Sequence, residues 1–207
     1  MENKEPLQQL AEIRSMMERS SRFISLSGLS GVMAGIYALV GAAFVKYYPI
    51  GYERTGEFEW DTAIIYLLIA AMVMGLSLLT GFILTYRRAK LHGRKLIDHI
   101  AVRMLVNLVI PIATGGFVAF MFLYKGYLDL IAPSLLIFYG LGLINGSKYT
   151  LDDIRYLGLS ELALGIICML DPGHGLIYWA LGFGVLHILY GTRMWWKYER
   201  TASNSEV

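Results

Sequence analysis

Long stretches without a charged residue dominate the chain. Five of them have roughly the 20 residues that a helix needs to cross the hydrocarbon core of a bilayer. They run over 23–45, 62–86, 104–124, 130–147 and 172–192, and a sixth, 156–170, is interrupted only by Glu161. A lipid-exposed backbone must satisfy its own hydrogen bonds, and the alternation of a membrane β-strand is absent. The pattern therefore predicts an all-α polytopic membrane protein with six transmembrane helices.

The polar connectors between these stretches divide the chain into three parts. We expect a cytoplasmic amphipathic segment over 1–22, a transmembrane domain over 23–197 and a cytoplasmic tail over 198–207. The predicted spans are 23–46, 62–86, 101–124, 127–147, 153–170 and 174–195. They form three hairpins of the same orientation, and no remaining segment is large enough for a soluble catalytic domain.

The first segment has its own periodicity. Leu7, Leu10, Ile13 and Met17 recur at helical spacing. This pattern predicts a helix that lies on the membrane surface, and a helix packed on the protein's own cytoplasmic ends is the alternative.

Basic residues are distributed unequally between the connectors. With the N-terminus inside, 15 of the 18 lysines and arginines fall on the same side as that terminus, and the other side holds Lys46, Arg54 and Lys125. Positive connectors stay in the cytoplasm. Both termini are therefore predicted to be cytoplasmic, and we expect a bacterial inner (plasma) membrane protein.

Composition agrees with a membrane location and excludes several other classes. The chain has 207 residues, 56% hydrophobic and 16% charged, with a net charge of +2 and a mean hydropathy of +0.53. Soluble domains carry about 25% charged residues. Cys168 is the single cysteine, and the four histidines have no partners at metal-ligand spacing. We expect no metal site, no cofactor and no nucleic-acid partner.

Small residues recur at helical spacing within the predicted spans, where they let neighbouring helices approach closely. The expected packing residues are Ser27, Gly31, Gly35, Gly142, Gly146, Gly158, Gly165, Gly184 and Gly191. Spans 1 and 5 also match at an offset of 130 residues, from Ile24 and Ile154 onward, which favours an internal parallel repeat.

Ionisable groups inside a span are unfavourable by about 2.5–3.5 kcal/mol and are functional candidates for that reason. Glu161 is the clearest, between Gly158 and Gly165 on one face of span 5. His187, Arg103, Asn107 and Asn145 fall at similar depths, and they complete the predicted polar cluster. One interpretation is a polar cavity in which Glu161 and His187 exchange protons or hold a ligand. The other is a buried hydrogen-bonded network that sets helix register.

The last hairpin resembles a known family. Residues 165–172, a short turn and residues 181–191 resemble the repeat hairpin of the HdeD-like acid-resistance membrane proteins. The resemblance implies a six-helix bacterial inner-membrane protein linked to stress, although Glu161 is outside its pattern. The whole chain also resembles uncharacterised bacterial six-span membrane proteins, which implies no activity.

A second resemblance concerns Ser30. The Gly28-Leu-Ser-Gly31 sequence resembles the nucleophile helix of rhomboid intramembrane proteases, which also have a histidine on the last span. That family, however, places its serine on the fourth span. We expect Ser30 to be a packing residue whose hydroxyl bonds back to its own helix.

These observations favour a non-enzymatic stress-related or regulatory membrane component. The alternative is a small proton-linked transporter or permeation pathway that uses Glu161 and His187, and an intramembrane enzyme is a remote third. The expected partner is the lipid bilayer. A homo-oligomer and a cytoplasmic protein bound at the N-terminal helix are further alternatives.

Overall fold

Helices make up the described chain. The structure is a computed structural model that describes residues 26–47, 60–91 and 98–200, and no strand occurs within these ranges. Five of its helices are long and apolar enough to cross a membrane: Gly28–Tyr47, Ala63–Leu91, His99–Tyr124, Leu128–Tyr149 and Gly175–Arg200. The prediction of an all-α protein with membrane-spanning helices is confirmed at this level.

Six helical elements follow one another within the described ranges. They are α1 (Gly28–Tyr47), α2 (Trp60–Leu91), α3 (His99–Tyr124), α4 (Ile131–Gly146, flanked by 3-10 turns Leu128–Leu130 and Ser147–Tyr149), α5 (Asp152–Leu170) and α6 (Gly175–Arg200). The 19-residue α5 is not among the five long apolar helices, since charged residues lie within its length: two aspartates and Arg155 in its first turn and Glu161 at its centre. The segment 1–22, the connector 92–97 and residues 201–207 of the tail lie outside the described residues.

Helix packing follows the order α2–α1–α6–α5–α4–α3, so α2 and α3 lie at the two ends of the succession. Neighbours in this order run antiparallel. Late α1 meets early α2 where Gly41 faces Val73, and early α1 meets late α6 where Gly28 faces Gly191. The helices α4 and α6 run in the same direction, since Ala132 faces Gly175 and Tyr139 faces His187.

The two ends of the bundle differ in charge. We call the end that holds Arg88, Arg103, Lys148, Arg193 and Lys197 the basic end, and the other the opposite end. A small apolar core of buried residues lies near the basic end, where α4, α5 and α6 meet. Its members are Leu143, Leu151, Ile154, Leu157 and Met194.

Glycines bring α1 and α6 into close backbone contact. A Cβ built on Gly35 would lie 2.5 Å from the Gly184 carbonyl oxygen, and one on Gly191 would lie 2.7 Å from the Gly28 carbonyl oxygen. Gly31 is also close, with its Cβ position 3.3 Å from the Gly191 Cα. No larger residue fits at the first two positions unless the helices move apart.

The second glycine contact joins α4 and α5. A Cβ on Gly158 would lie 2.8 Å from the Gly140 carbonyl oxygen, and one on Gly165 would lie 2.7 Å from Ile137 Cγ1. A Cβ on Gly142 would lie 2.9 Å from the Leu108 carbonyl oxygen of α3. A Cβ on Gly146 would lie 3.5 Å from its nearest neighbour, the Leu108 Cβ, which is an ordinary van der Waals distance.

Candidate proton-binding site

Three helices each place one polar side chain near their midpoint, and these side chains meet inside the bundle. Glu161 is the central residue of α5, Tyr139 lies in the middle of α4, and His187 lies in the middle of α6. Glu161 is 0% exposed and His187 is 7% exposed. We call these three residues the buried triad.

His187 joins the triad through both ring nitrogens. Its Nδ1 lies 3.0 Å from the Gly182 carbonyl oxygen and 3.4 Å from Glu161 Oε1, and its Nε2 lies 2.7 Å from the Tyr139 hydroxyl. A carbonyl oxygen only accepts, so Nδ1 carries a hydrogen and donates it to Gly182. In the neutral imidazole, Nε2 therefore accepts a hydrogen bond from Tyr139.

The backbone of α6 has an irregular turn at this point. Residues Ala180–Leu186 form a π-helical turn that ends immediately before His187. Single π-helical turns within longer helices are frequent at functional sites. Here the turn precedes the imidazole, and the Gly182 carbonyl within it accepts the bond that orients the ring.

Both carboxyl oxygens of Glu161 are enclosed, and among the described residues neither accepts a hydrogen bond. A Cβ on Gly182 would lie 2.5 Å both from Glu161 Oε2 and from Leu136 Cδ2, and Leu136 is itself 0% exposed. The carboxyl group therefore occupies a space that the missing side chain of Gly182 leaves. His187 Nδ1 lies 3.4 Å from Oε1, so the two side chains form an ion pair when the imidazole is protonated and the carboxyl group is ionised.

This arrangement limits the charge that the triad can hold. A buried carboxylate without hydrogen bonds is strongly unfavourable unless a cation compensates it. Two states avoid a net charge: a protonated Glu161 beside a neutral His187, or a carboxylate beside an imidazolium. Both states contain the same single proton, which lies on oxygen in one and on Nε2 in the other. Loss or gain of a proton leaves a net charge in the middle of the bundle.

Aromatic rings connect the triad to the opposite end of the bundle. Trp179 and Phe183 lie 5.3 Å apart between ring centroids, and Phe183 lies 5.0 Å from Tyr139 and 6.0 Å from His187. Trp179 lines a cavity of about 450 Å³ at that end. Glu161 and His187 line neither this cavity nor a smaller one between the ends of α1 and α6. The rings of Phe183 and Trp179 thus lie between the triad and the cavity.

The other three residues of the predicted cluster lie elsewhere. Asn145 Nδ2 donates to the Asn107 carbonyl oxygen at 3.1 Å and to its Oδ1 at 3.2 Å, and Lys148 Nζ donates to Asn145 Oδ1 at 3.1 Å. Arg103 is exposed on α3, and its carbonyl accepts from Asn107 Nδ2 at 2.8 Å. The structure thus separates the five residues into a buried Glu161–His187 pair and a second group at the basic end.

A buried aspartate organises the basic end of α5 and α6. Asp153 is 1% exposed, and its oxygens lie 3.1 Å from Lys197 Nζ and 3.2 Å from Arg193 Nε. The Tyr198 hydroxyl donates to the same carboxylate at 2.8 Å. Asp153 thereby ties the start of α5 to the end of α6.

Glu199 connects α6 to α1 and α2. Its Oε1 accepts from the Gly28 amide at 2.6 Å, and it lies 3.3 Å from Arg88 Nη1. Arg88 also donates to the Leu26 carbonyl oxygen. Ser27, predicted as a packing residue, directs its hydroxyl to Glu199 at 3.4 Å. Ion pairs and hydrogen bonds thus join α1, α2, α5 and α6 at the basic end.

The turn between α5 and α6 has a simpler role. Asp171 accepts from the Tyr178 hydroxyl at 2.8 Å and lies 3.0 Å from His174 Nδ1. These hydrogen bonds, from Tyr178 first and then His174, lower the pKa of Asp171. The contacts hold the chain as it enters α6.

Sequence reasoning missed Tyr139 and Gly182 as parts of the site, as well as the role of Asp153. A tyrosine in an apolar span gives no sign of its partner, and a glycine that accommodates a carboxyl group looks like any packing glycine. Asp153 was assigned to the end of a span, where charged residues are common. Its burial depends on residues of α6 that lie 40 or more positions further along the chain. Periodicity within one span does not reveal contacts at that separation in sequence.

Ser30 and His187, the pair suggested by the protease resemblance, form hydrogen bonds to different groups. Ser30 Oγ donates to the Ser27 carbonyl oxygen at 2.5 Å, within its own helix. In the described ranges, no three His, Cys, Asp or Glu side chains are grouped as a metal ion would require. Comparison of the chain with protein-family models, curated proteins and solved structures finds no match. The HdeD-like resemblance therefore stays a prediction.

Proposed function

We propose that this chain is a non-enzymatic, proton-responsive component of a bacterial inner membrane, with a regulatory role of the stress-related kind that the HdeD-like resemblance implies. The buried triad is the responsive site. The observation that carries the proposal is Glu161, which is fully buried at the centre of the bundle, lies 3.4 Å from His187 Nδ1 and has no hydrogen-bond donor on either oxygen within the described part of the chain.

The burial of the triad supports a response to protons rather than a continuous proton flux through the protein. A proton that enters or leaves the triad creates a net charge among packed side chains, and packed interiors rearrange in discrete steps. The contacts of His187 extend to α4, α5 and the π-helical turn of α6. A change of charge there would alter how these three helices pack, and the basic end of α6 would transmit the change to the cytoplasmic side.

Proton-linked transport is the second candidate function, and the row of rings from Trp179 to His187 favours it. Reconstitution into vesicles with an imposed pH gradient tests the two functions. We expect the native protein to add no proton flux over empty vesicles, while its tryptophan fluorescence changes with pH and that change is lost in Glu161→Gln. Flux that Glu161→Gln abolishes would support the transporter and contradict the regulatory proposal.

The proposal includes an orientation: six spans in three hairpins of the same direction, with both termini cytoplasmic. It rests on the basic end of the bundle, because positively charged connectors stay in the cytoplasm. Lys125 follows the end of α3 and Lys148 follows the end of α4, and both are exposed. Because α3 and α4 run antiparallel, the two lysines lie at opposite ends of the bundle.

Labelling of single cysteines tests this orientation. In a Cys168→Ala background, a membrane-impermeant maleimide applied to intact cells should label Lys125→Cys and leave Lys148→Cys unlabelled until the cells are lysed. The reverse pattern would invert the proposed topology.

A further inference from the structure

A cavity at the opposite end of the bundle, separate from the buried triad, remains without a role. It has a volume of about 450 Å³, within the roughly 300–1,000 Å³ range of ligand sites. Its wall is built from late α1, early α2, the start of α4 and the start of α6, with Gly41, Ala70, Ala132 and Trp179 as representatives. Asp129 is the one Asp, Glu, Lys or Arg among the described lining residues.

The lining residues and the helix contacts indicate that the cavity opens on the side between α2 and α3. These helices are the two ends of the packing succession, and α3 contributes only Leu123, near its last turn, to the lining. The most apolar 18-residue part of α2 contains no buried residue. The helix α2 thus forms one wall of the cavity while α1 is its main packing partner, and the gap beside it faces whatever surrounds the bundle.

The membrane around the bundle indicates which kind of molecule fills the cavity. Both α2 and α3 are long and apolar enough to cross a membrane, so the gap between them opens into lipid hydrocarbon. An apolar cavity of this kind does not hold ordered water, because water needs polar partners. A flexible acyl chain is the apolar group present at high concentration beside such an opening.

Asp129 indicates the headgroup. It is exposed on the 3-10 turn Leu128–Leu130 that precedes α4, at the rim of the cavity. Lys46 and Lys125 also lie at this end of the bundle, but neither lines this cavity, and Asp171 is engaged with His174 and Tyr178. A carboxylate at the rim of an apolar site is complementary to an ammonium group.

We infer that this cavity is a lateral phospholipid-binding site, which takes one acyl chain between α2 and α4 and holds an amine-bearing headgroup, such as that of phosphatidylethanolamine, at Asp129. The site is independent of the buried triad, since Glu161 and His187 do not line it. Occupancy would fill the space that the separation of α2 from α3 leaves.

Two neighbouring alanines on α2 provide a matched pair for the test. Ala70 lines the cavity, whereas Ala71 does not, and both are exposed. A phenylalanine at position 70 fills space that the acyl chain would take. The same substitution at position 71 adds equal apolar area on a different side of the helix.

The experiment is native mass spectrometry of the full chain, released from vesicles of equimolar phosphatidylethanolamine and phosphatidylglycerol. We expect one retained phospholipid, enriched in phosphatidylethanolamine, on the native protein and on Ala71→Phe. Retention should fall about tenfold in Ala70→Phe, a difference of ~1.4 kcal/mol. The variant Asp129→Asn should keep a lipid but lose the headgroup preference.

Three results would overturn the inference. The native protein could retain no phospholipid, a measurement that depends on no variant. Equal retention in Ala70→Phe and Ala71→Phe would place the lipid elsewhere. A dimer without lipid would show that a second copy of the chain covers the cavity.

Discussion

Replacing His187 by leucine is expected to destabilise the protein by about 3–5 kcal/mol at a pH where Glu161 and His187 are both ionised, the loss that follows when one partner of a buried ion pair is removed. The substitution leaves Glu161 without its ion-pair partner and the Tyr139 hydroxyl without its acceptor. The loss should be smaller at acidic pH, where the carboxyl group binds a proton and no charge is buried. Denaturation of micelle-bound protein, followed by circular dichroism, measures the effect.

The same substitution in a Glu161→Gln background separates the ionic contribution from the loss of packing. With no carboxylate to strand, His187→Leu should be less destabilising there, and the difference should fall in the range of about 0.5–3 kcal/mol that contacting residues show. His174→Leu is the control, because His174 is exposed in the turn before α6. Equal losses in both backgrounds would mean that His187 and Glu161 are not coupled.

Gly158→Ala should also destabilise the protein, by about 1–3 kcal/mol or more, because the new methyl group meets backbone rather than movable side chains. Its Cβ would lie 2.8 Å from the Gly140 carbonyl oxygen and 2.9 Å from the Ile144 amide nitrogen. The expected consequence is separation of α4 from α5, the helices that carry Tyr139 and Glu161. Thermal denaturation of the purified variant measures it.

Gly116→Ala is the matched control for this prediction. No described residue lies within 4 Å of the Cβ position at Gly116, which is also within a long apolar helix. Alanine there should be neutral or should stabilise α3 by up to about 1 kcal/mol, from helix propensity alone. Equal destabilisation by both substitutions would contradict the close approach of α4 and α5.

Hydropathy was sufficient to predict the helices because a membrane span depends on local composition alone. The helix α2 shows this well: its apolar run predicts a span, although it packs only at the edge of the bundle. The helix α5 was harder, since its two aspartates and Glu161 reduce its hydropathy. Its assignment depended on interpreting Glu161 as a polar residue inside a span.

The buried triad was harder to predict from the sequence than the helices were. Spacing with nearby glycines placed Glu161 and His187 on helix-contacting faces at similar depths, and the structure brings them to 3.4 Å. Depth does not reveal which helices are neighbours, however. Arg103 shares a predicted depth with Glu161, but α3 packs against α4 and its Arg103 side chain is exposed. The π-helical turn at Ala180–Leu186 has no sequence signature that spacing could detect.

The surroundings of Glu161 favour the proposal that the triad is a functional site over the alternative of a packing device. In the Asn107–Asn145 group, Asn145 Nδ2 donates to both oxygens of Asn107. The oxygens of Glu161, by contrast, accept no hydrogen bond among the described residues. We expect such a group to lower stability, and functional sites commonly have that property.

Infrared difference spectroscopy of the membrane-reconstituted protein tests this account most directly. Stepping the pH should produce a change in the C=O stretch of a buried protonated carboxyl group in the native protein, and Glu161→Gln should lack that change while remaining at least as stable. An unchanged carboxyl band in Glu161→Gln, or a variant as unstable as His187→Leu, would show that Glu161 serves packing alone.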